Sequence, residues 1–418
     1  MKLYFVIVVL IMLLYMVRHG ILTMARLYRR QKISYRDIYD SDLPSVTVLI
    51  PVYNEELGAR NVLDALLKCD YDWDRLEIMP INDNSSDSTM EILDEYAARY
   101  PGVIKPLHRN SPLHGKPAGL NEAAEIAQGE VIIVFDADYM PSRNMLRKLA
   151  SAFYDPQVGA VMGRVIPLNA NSNRLTRLLN IERSGGYQVD QQARYTLNLI
   201  PQYGGTVGGY RKDVVQLLGG FNVKILAEDT ELTYKLFVNG WKVVYDNTAE
   251  CYEESPEDWR ARGKQVRRWS RGHNAVMWHY FGAFLKARNL SFMQKADGLL
   301  LLGVYAVPFL FALAFIDCIA LFFLGEMMVL GWWWVAFFVG AYNAWGNFAP
   351  FFELATGNLL DGMKSEMLSL PLMCFTFYFN LLYVSWGFLE SIVDLVSQRT
   401  VKWAATDHGV ATTGKAGA

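Results

Sequence analysis

Residues 130–138 read EVIIVFDAD. The run from Val131 to Phe135 is continuously apolar and mostly β-branched, the pattern of a short strand buried on both faces. It ends in two carboxylates separated by one residue. On an extended chain alternate side chains point the same way, so Asp136 and Asp138 converge on one point. Two hard anionic oxygens suit Mg²⁺ or Mn²⁺ shared with a diphosphate. The plainer reading is a pair of solvated turn carboxylates.

Working outward, the same alternation recurs. SVTVLIPVY (45–53) is a strand that runs into Asn54 and Glu55, and helical spacing follows over 59–67. LEIMPIND (76–83) is a second strand, followed by a helical stretch at 90–96. GVIKPLH (102–108) reads as a third strand, with a helix at 118–127. Apolar strands alternating with helices predict an α/β domain over 31–280, with a mostly parallel sheet and helices on both faces. Ligands of such sheets lie beyond the carboxyl ends of the strands. Three strands here end in Asn54 and Glu55, in Asp83, and in Asp136 and Asp138.

Other polar positions carry two readings each. LAEDTEL (226–232) puts Glu228 and Asp229 at a helix start. They serve there as dipole-favoured capping charges, or one acts as a general base. GGTVGGY (204–210) is a turn or a place where backbone approaches a ligand. HGKPAGLN (114–121) lacks the Ser/Thr of a phosphate-binding P-loop, and no G-x-G-x-x-G occurs. Lys116 is left as a point charge for a phosphate, or as part of a solvated basic loop.

The chain has 418 residues, 52% apolar and 20% charged, with a net charge of −2. That balance offers no electrostatic argument for nucleic acid. The four cysteines are scattered without metal-ligand spacing. The apolar residues are segregated. LYFVIVVLIMLLYMV (3–17) reads as a signal-peptide core or an uncleaved anchor; Arg18 and His19 follow instead of a cleavage site, which favours an anchor over 1–30. Arg26, Arg29, Arg30 and Lys32 lie beyond it and only Lys2 before it, placing the next domain in the cytoplasm. After an interfacial helix at 281–298, three membrane segments are expected within 299–397, at 299–324, 327–352 and 368–389. Residues 353–366 read as an interfacial segment, and tryptophans 332–334 and 345 as an aromatic belt. Three crossings leave the tail, 398–418, outside, against the charge of Arg399 and Lys402.

QVRRWSRGH (265–273) stands just before these segments. It is a basic, aromatic belt for anionic lipid, or it binds an anion and a flat group.

Taken in order, these stretches resemble the membrane-embedded, inverting, processive family 2 glycosyltransferases, which include the synthases of cellulose, hyaluronan, chitin-like oligomers and poly-N-acetylglucosamine. PVYNEE (51–56), INDNSSDST (81–89), HGKPAGLN, DAD, QYGGT (202–206), AED (227–229) and QVRRW (265–269) stand where that family has its motifs. Asn82 and Asn84 replace the usual Asp and Gly, QYGGT departs from FxCGS, and Ala227 replaces Thr. The resemblance implies a GT-A type fold. It implies that Tyr53, Asn54, Glu55 and Asp83 hold the uridine of a UDP-sugar, with Lys116 beside the nucleotide. Asp138 with Asp136 would hold Mg²⁺ or Mn²⁺, and Gln265 and Arg268 would bind the diphosphate. Asp229, next to Glu228, would be the base. Trp269, Gly205 and Thr206 would meet the acceptor, the growing end of a glucose or N-acetylglucosamine polysaccharide. Few spans for a channel imply a small membrane subunit or a homo-oligomer. The alternatives are a transferase acting on a polyprenyl-phosphate or other lipid, and a non-catalytic membrane module.

Overall fold

The computed structural model describes residues 1–32, 43–205, 207–326 and 348–397. A long apolar helix, α1 (Lys2–Tyr28), precedes the mixed domain. The domain then alternates as the hydrophobic pattern requires: β1 (Val46–Val52), α2 (Glu56–Leu66), β2 (Leu76–Asn82), α3 (Thr89–Arg99), β3 (Leu107–His108), α4 (Lys116–Ile126) and β4 (Val131–Val134). The third expected strand shrinks to two residues, with one isolated bridge between Ile78 and Ile104.

The second half follows different rules. It contains β5 (Tyr139–Pro141), α5 (Met145–Ser151), β6 (Val158–Pro167), α6 (Arg174–Ser184), a π-helix (Gly185–Gln191) and α7 (Gln192–Thr196). Then come β7 (Gly208–Arg211), α8 (Lys212–Leu217), α9 (Glu228–Val238), β8 (Lys242–Glu253) and α10 (Trp259–Lys286). The eight strands form one sheet in the order β3-β2-β1-β4-β7-β6-β8-β5. Strands β3, β2, β1 and β4 are parallel, but β7 enters antiparallel to both β4 and β6. The sheet is therefore mixed, and parallel pairing dominates only its first half. Gly208 and Gly209 make this insertion possible, since a Cβ there would sit 2.7 Å from the Val161 oxygen and 2.9 Å from the Ile132 oxygen. The glycine-dense stretch read as a turn is thus partly a central strand.

Apolar side chains alternate between the two faces of β1 and β4. Val48, Ile50 and Ile133 pack under α2, α3 and α5. Leu49, Ile132 and Val134 face the other way, in a core that runs through α4, α9 and α10. That second core continues into α11 (Phe292–Gly303), through buried Leu301 and Leu302. The catalytic-type domain and the apolar helices share one hydrophobic interior.

After α11 come α12 (Val307–Phe323), α13 (Ala349–Leu360) and α14 (Met373–Ser397). The stretch read as one crossing at 299–324 is two helices, α11 and α12, bent by 68°. The stretch read as an interfacial helix at 281–298 is divided between the end of α10 and the start of α11. Among the described residues, helices over Lys2–Tyr28 and Lys364–Ser397 are long and apolar enough to cross a membrane, and the bent pair makes a third such unit if counted as one. Residues 327–347, which hold the tryptophans of the expected belt, lie outside the described residues, as do Thr206 and the tail from 398.

Ion pairs tie the apolar helices to the domain. Arg18 of α1 lies 2.8 Å from Asp297 of α11 and 3.4 Å from Asp190 of the π-helix. Asp361, just after α13, accepts hydrogen bonds from Ser184 at 2.6 Å and Gln188 at 2.5 Å. On α10, Arg267 pairs with Glu390 of α14, and Arg271 with Asp394 at 2.6 Å. These two arginines, within the stretch read as a lipid-binding belt or an anion site, fasten α10 to α14. Gly387 sits at that contact, where a Cβ would meet the Arg267 carbonyl oxygen at 2.4 Å.

Candidate active site

The carboxyl ends of β1, β2 and β4 open into a cavity of about 890 Å³. Its walls are the ends of those strands, the starts of α4 and α9, the π-helix and one face of α10. Tyr53, Glu55, Asp83, Lys116, Asp136, Asp138, Glu228, Asp229, Gln265, Arg268 and Trp269 all line it.

At the strand ends the backbone turns sharply. Asn54 takes a left-handed conformation (φ 54°) that its short amide side chain tolerates. Its Oδ1 accepts from the Ser86 N–H at 2.8 Å, so it joins two loops and does not line the cavity. Asp83 accepts from the Gly115 N–H at 2.8 Å and faces Arg109 at 2.5 Å. Arg109 is buried and also grips Glu122. It orients Asp83, and the only trace of it in the sequence is its place directly after a strand.

Lys116 is the electrostatic centre. Its Nζ lies 2.7 Å from Asp136 Oδ1 and 3.5 Å from Glu228 Oε1, so it bridges the D-x-D pair and the AED turn. Burial works against its charge, but Asp136 and Glu228 outweigh burial and raise its pKa. Burial lifts Glu228 to about 7, with Lys116 opposing and Asp229 adding to the lift. Asp229 is raised by burial against the hydrogen bond from the Thr230 N–H, which at 2.6 Å holds its Oδ1. The Glu228 carboxyl, raised in this way, is matched to proton transfer near neutral pH.

Gly205 lies against Asp229 with φ 70°, and a Cβ there would come within 2.8 Å of the Asp229 Cβ. The close backbone approach read from the glycines is therefore to the carboxylate.

On α10, Asp258 caps the first turn by accepting from the Ala261 N–H at 2.8 Å. Gln265, Arg268 and Trp269 are spaced to share one helix face, which is the cavity wall. The guanidinium carbons of Arg183 and Arg262 lie 5.5 Å and 5.4 Å from the Trp269 ring centroid. The indole is thus held by cations as well as offered to the cavity. Gly272 lets α10 approach Ala227, where a Cβ would meet the Ala227 Cβ at 2.9 Å. Residues that sequence reasoning missed include Arg183, Glu253, Gln202, His273, Tyr305 and the π-helix.

The residues around Asp138 fit a divalent cation. Burial pushes its carboxyl well above the usual range, and Asp136, Glu253 and Glu55 add to the push. Glu55 rises to about 7 through burial, Asp87 and Asp136. Negative charge is in excess here, and a bound cation would relieve it. Among the described residues no cluster of three or more His, Cys, Asp or Glu could hold a metal alone. The two aspartates would therefore share the ion with phosphate oxygens and water, as Mg²⁺ and Mn²⁺ permit.

With this geometry in place, comparison with known proteins is informative. The family model "Glycosyltransferase like family 2" matches residues 44–272. A probable glycosyltransferase of Bacillus subtilis, YdaM, is 36% identical over 250 residues, 59% of this chain and 59% of that protein. The beta-monoglucosyldiacylglycerol synthase of Trichormus variabilis is 31% identical over 255 residues, 61% of this chain and 54% of that one. The chain thus spans less than two thirds of the curated relatives it matches. The mannosyltransferase PcManGT from Pyrobaculum calidifontis, solved with GDP-Man and Mn²⁺, shares the fold with a TM-score of 0.60 at 20% identity, over 88% of this chain and 98% of that one. The matched residues run from the first strand to the glycine that seats α10 on the AED turn, and this chain belongs to the glycosyltransferase-like family 2.

Proposed function

We propose that the protein transfers a hexosyl or N-acetylhexosaminyl group from a UDP-sugar, with inversion, to the growing end of a polysaccharide at the cytoplasmic face of a membrane. One observation carries this reading. Lys116 joins Asp136 to Glu228, so the D-x-D pair and Asp229 stand on opposite sides of one cavity that Trp269 also lines.

Asp229 takes the proton of the acceptor hydroxyl as its oxygen attacks the anomeric carbon. The new glycosidic bond forms as the bond to the UDP oxygen breaks, and UDP leaves with the electron pair. Arg268 and Lys116 face the diphosphate, whose charge grows as it departs. Asp138 and Asp136 would hold Mg²⁺ or Mn²⁺, which when bound would further neutralise that charge. Tyr53, Glu55 and Asp83 surround the uridine, and Gln265 the diphosphate. The Trp269 ring packs on the acceptor sugar. Arg26, Arg29, Arg30 and Lys32 keep the domain in the cytoplasm, and α1, α14 and the bent pair α11–α12 carry the chain through the membrane more than once. A small membrane subunit or a second copy completes the passage for the product.

A second reading is transfer to a lipid acceptor. It is favoured by Tyr305, which lines the cavity at the bend between α11 and α12 and brings the site against apolar helices. UDP release by the detergent-purified protein is measured against a panel of UDP-sugars with Mg²⁺ or Mn²⁺, and the product is sized and partitioned into organic solvent. A high-molecular-weight product supports polymerisation. A product that is wholly lipid-extractable replaces it with the second reading. Absence of UDP from every donor, with nucleotide binding intact, overturns both in favour of a binding module.

A further inference from the structure

Beside Asp229, at the cavity wall, lies a set of polar groups without a role in the transfer just described; Gln202 and His273 themselves line the cavity. Thr230 is fully buried and its hydroxyl lies 3.4 Å from Asp229 Oδ1, the oxygen that the Thr230 N–H already holds. His273 of α10 is buried, with Nδ1 and Nε2 both 3.2 Å from the Thr230 hydroxyl. The Gln202 amide donates to His273 Nε2 at 3.1 Å and to the Thr230 hydroxyl at 3.0 Å. Since that amide nitrogen only donates, His273 Nε2 accepts and Nδ1 carries the proton. Donation then runs from Gln202 to Thr230 to Asp229, with the His273 ring set against the Thr230 hydroxyl. Burial, with Arg194 adding, lowers His273 to about 3, so the imidazole is neutral and keeps this polarity at working pH.

The far end is fixed as firmly. Gln202 and Gln191, the last residue of the π-helix, exchange two hydrogen bonds, each 3.0 Å long. The His273 ring lies 4.6 Å from that of Tyr305. The Asp229 Oδ2 atom points toward Gly205, where an added Cβ would approach it to 3.4 Å.

We propose that Thr230, His273 and Gln202 are positioning residues: they hold one oxygen of Asp229 so that the other is presented to the acceptor hydroxyl. This rests on Asp229 being the base. The protein holds the carboxylate's rotation from α10 and the π-helix, and a small error in that rotation misplaces the attacking hydroxyl.

The test uses the full-length protein in detergent, with UDP release as the signal. Thr230→Val keeps shape and loses the hydroxyl. We expect kcat to fall about 10- to 100-fold with the donor KM unchanged, the size typical of misplaced reacting groups. Thr230→Ser, which restores the hydroxyl, recovers most of that loss. The charged and titratable groups facing Asp229 are Lys116 of α4, Glu228 of its own helix, Tyr187 of the π-helix, and Tyr203 and Tyr305. All remain in Thr230→Val, so removing the donor raises the Asp229 pKa and moves the acid limb of the kcat profile to higher pH. His273→Phe should act in the same direction. An inactive Asp229→Asn beside a Thr230→Val of wild-type kcat and unmoved acid limb overturns the positioning role and leaves the base in place. An active Asp229→Asn overturns the base, and the positioning role with it.

Discussion

The two halves of the cavity are built differently. On the proposed reading, the donor half stands on β1, β2 and β4, parallel strands in register, whose polar residues follow directly from buried apolar runs. Regular backbone carries the side chains there. The acceptor half rests on a π-helix, a glycine at φ 70°, and a helix fastened from behind by ion pairs. Even Val207, a β-branched residue, is held at φ 57° beside it. A rigid strand edge suits a nucleotide whose shape is constant. Irregular backbone is instead held in place by contacts distant in sequence.

The sharpest way to break this comparison is at the base. Asp229→Asn should cut kcat for UDP release about 10³-fold, within the usual range for general-base loss, while nucleotide binding is spared. Equal loss of nucleotide binding would place Asp229 in the donor half. Gly205→Ala meets both a left-handed backbone and the 2.8 Å approach to Asp229. Turnover should fall about 10²-fold with the donor KM unchanged. Arg18→Met leaves Asp190 and Asp297 with only Arg194, which lies 2.5 Å and 3.9 Å from them. Thermal unfolding should show a loss of about 3 kcal/mol, as when one partner of a buried pair is removed.

A fourth test concerns buried negative charge across the cavity. Glu55 and Glu228 both rise to about 7 from a usual value near 4.5. Such groups bind protons more tightly folded than unfolded. Their favourable contribution is complete below the unfolded value and is lost as pH rises through about 7. Without metal, Tm should therefore rise as pH is lowered from 7 toward 5, and added Mn²⁺ should flatten that slope. The smallest effect belongs to Arg271→Gln. Its pair with Asp394 is partly solvated, and unfolding should register under about 1 kcal/mol.

What the residues disclosed unaided follows from periodicity. A buried parallel strand must be apolar and must end in the groups that meet the ligand, so Asp83, Asp136 and Asp138 could be placed before any coordinates. Gln265, Arg268 and Trp269 were named through the family resemblance, and only the structure puts them on one face of α10. The direction of β7, the bend between α11 and α12, and the pairing of Arg267 and Arg271 with α14 could not be placed. Each depends on partners far along the chain: Glu390 stands 123 residues from Arg267, and Asp190 stands 172 from Arg18. Local sequence thus determined the sheet edge and its carboxylates. Only tertiary structure decided that Lys116 bridges them, that Gly205 leaves room for Asp229, and that Thr230 and His273 stand beside it, because buried charges and close backbone contacts are satisfied by whatever the fold brings near.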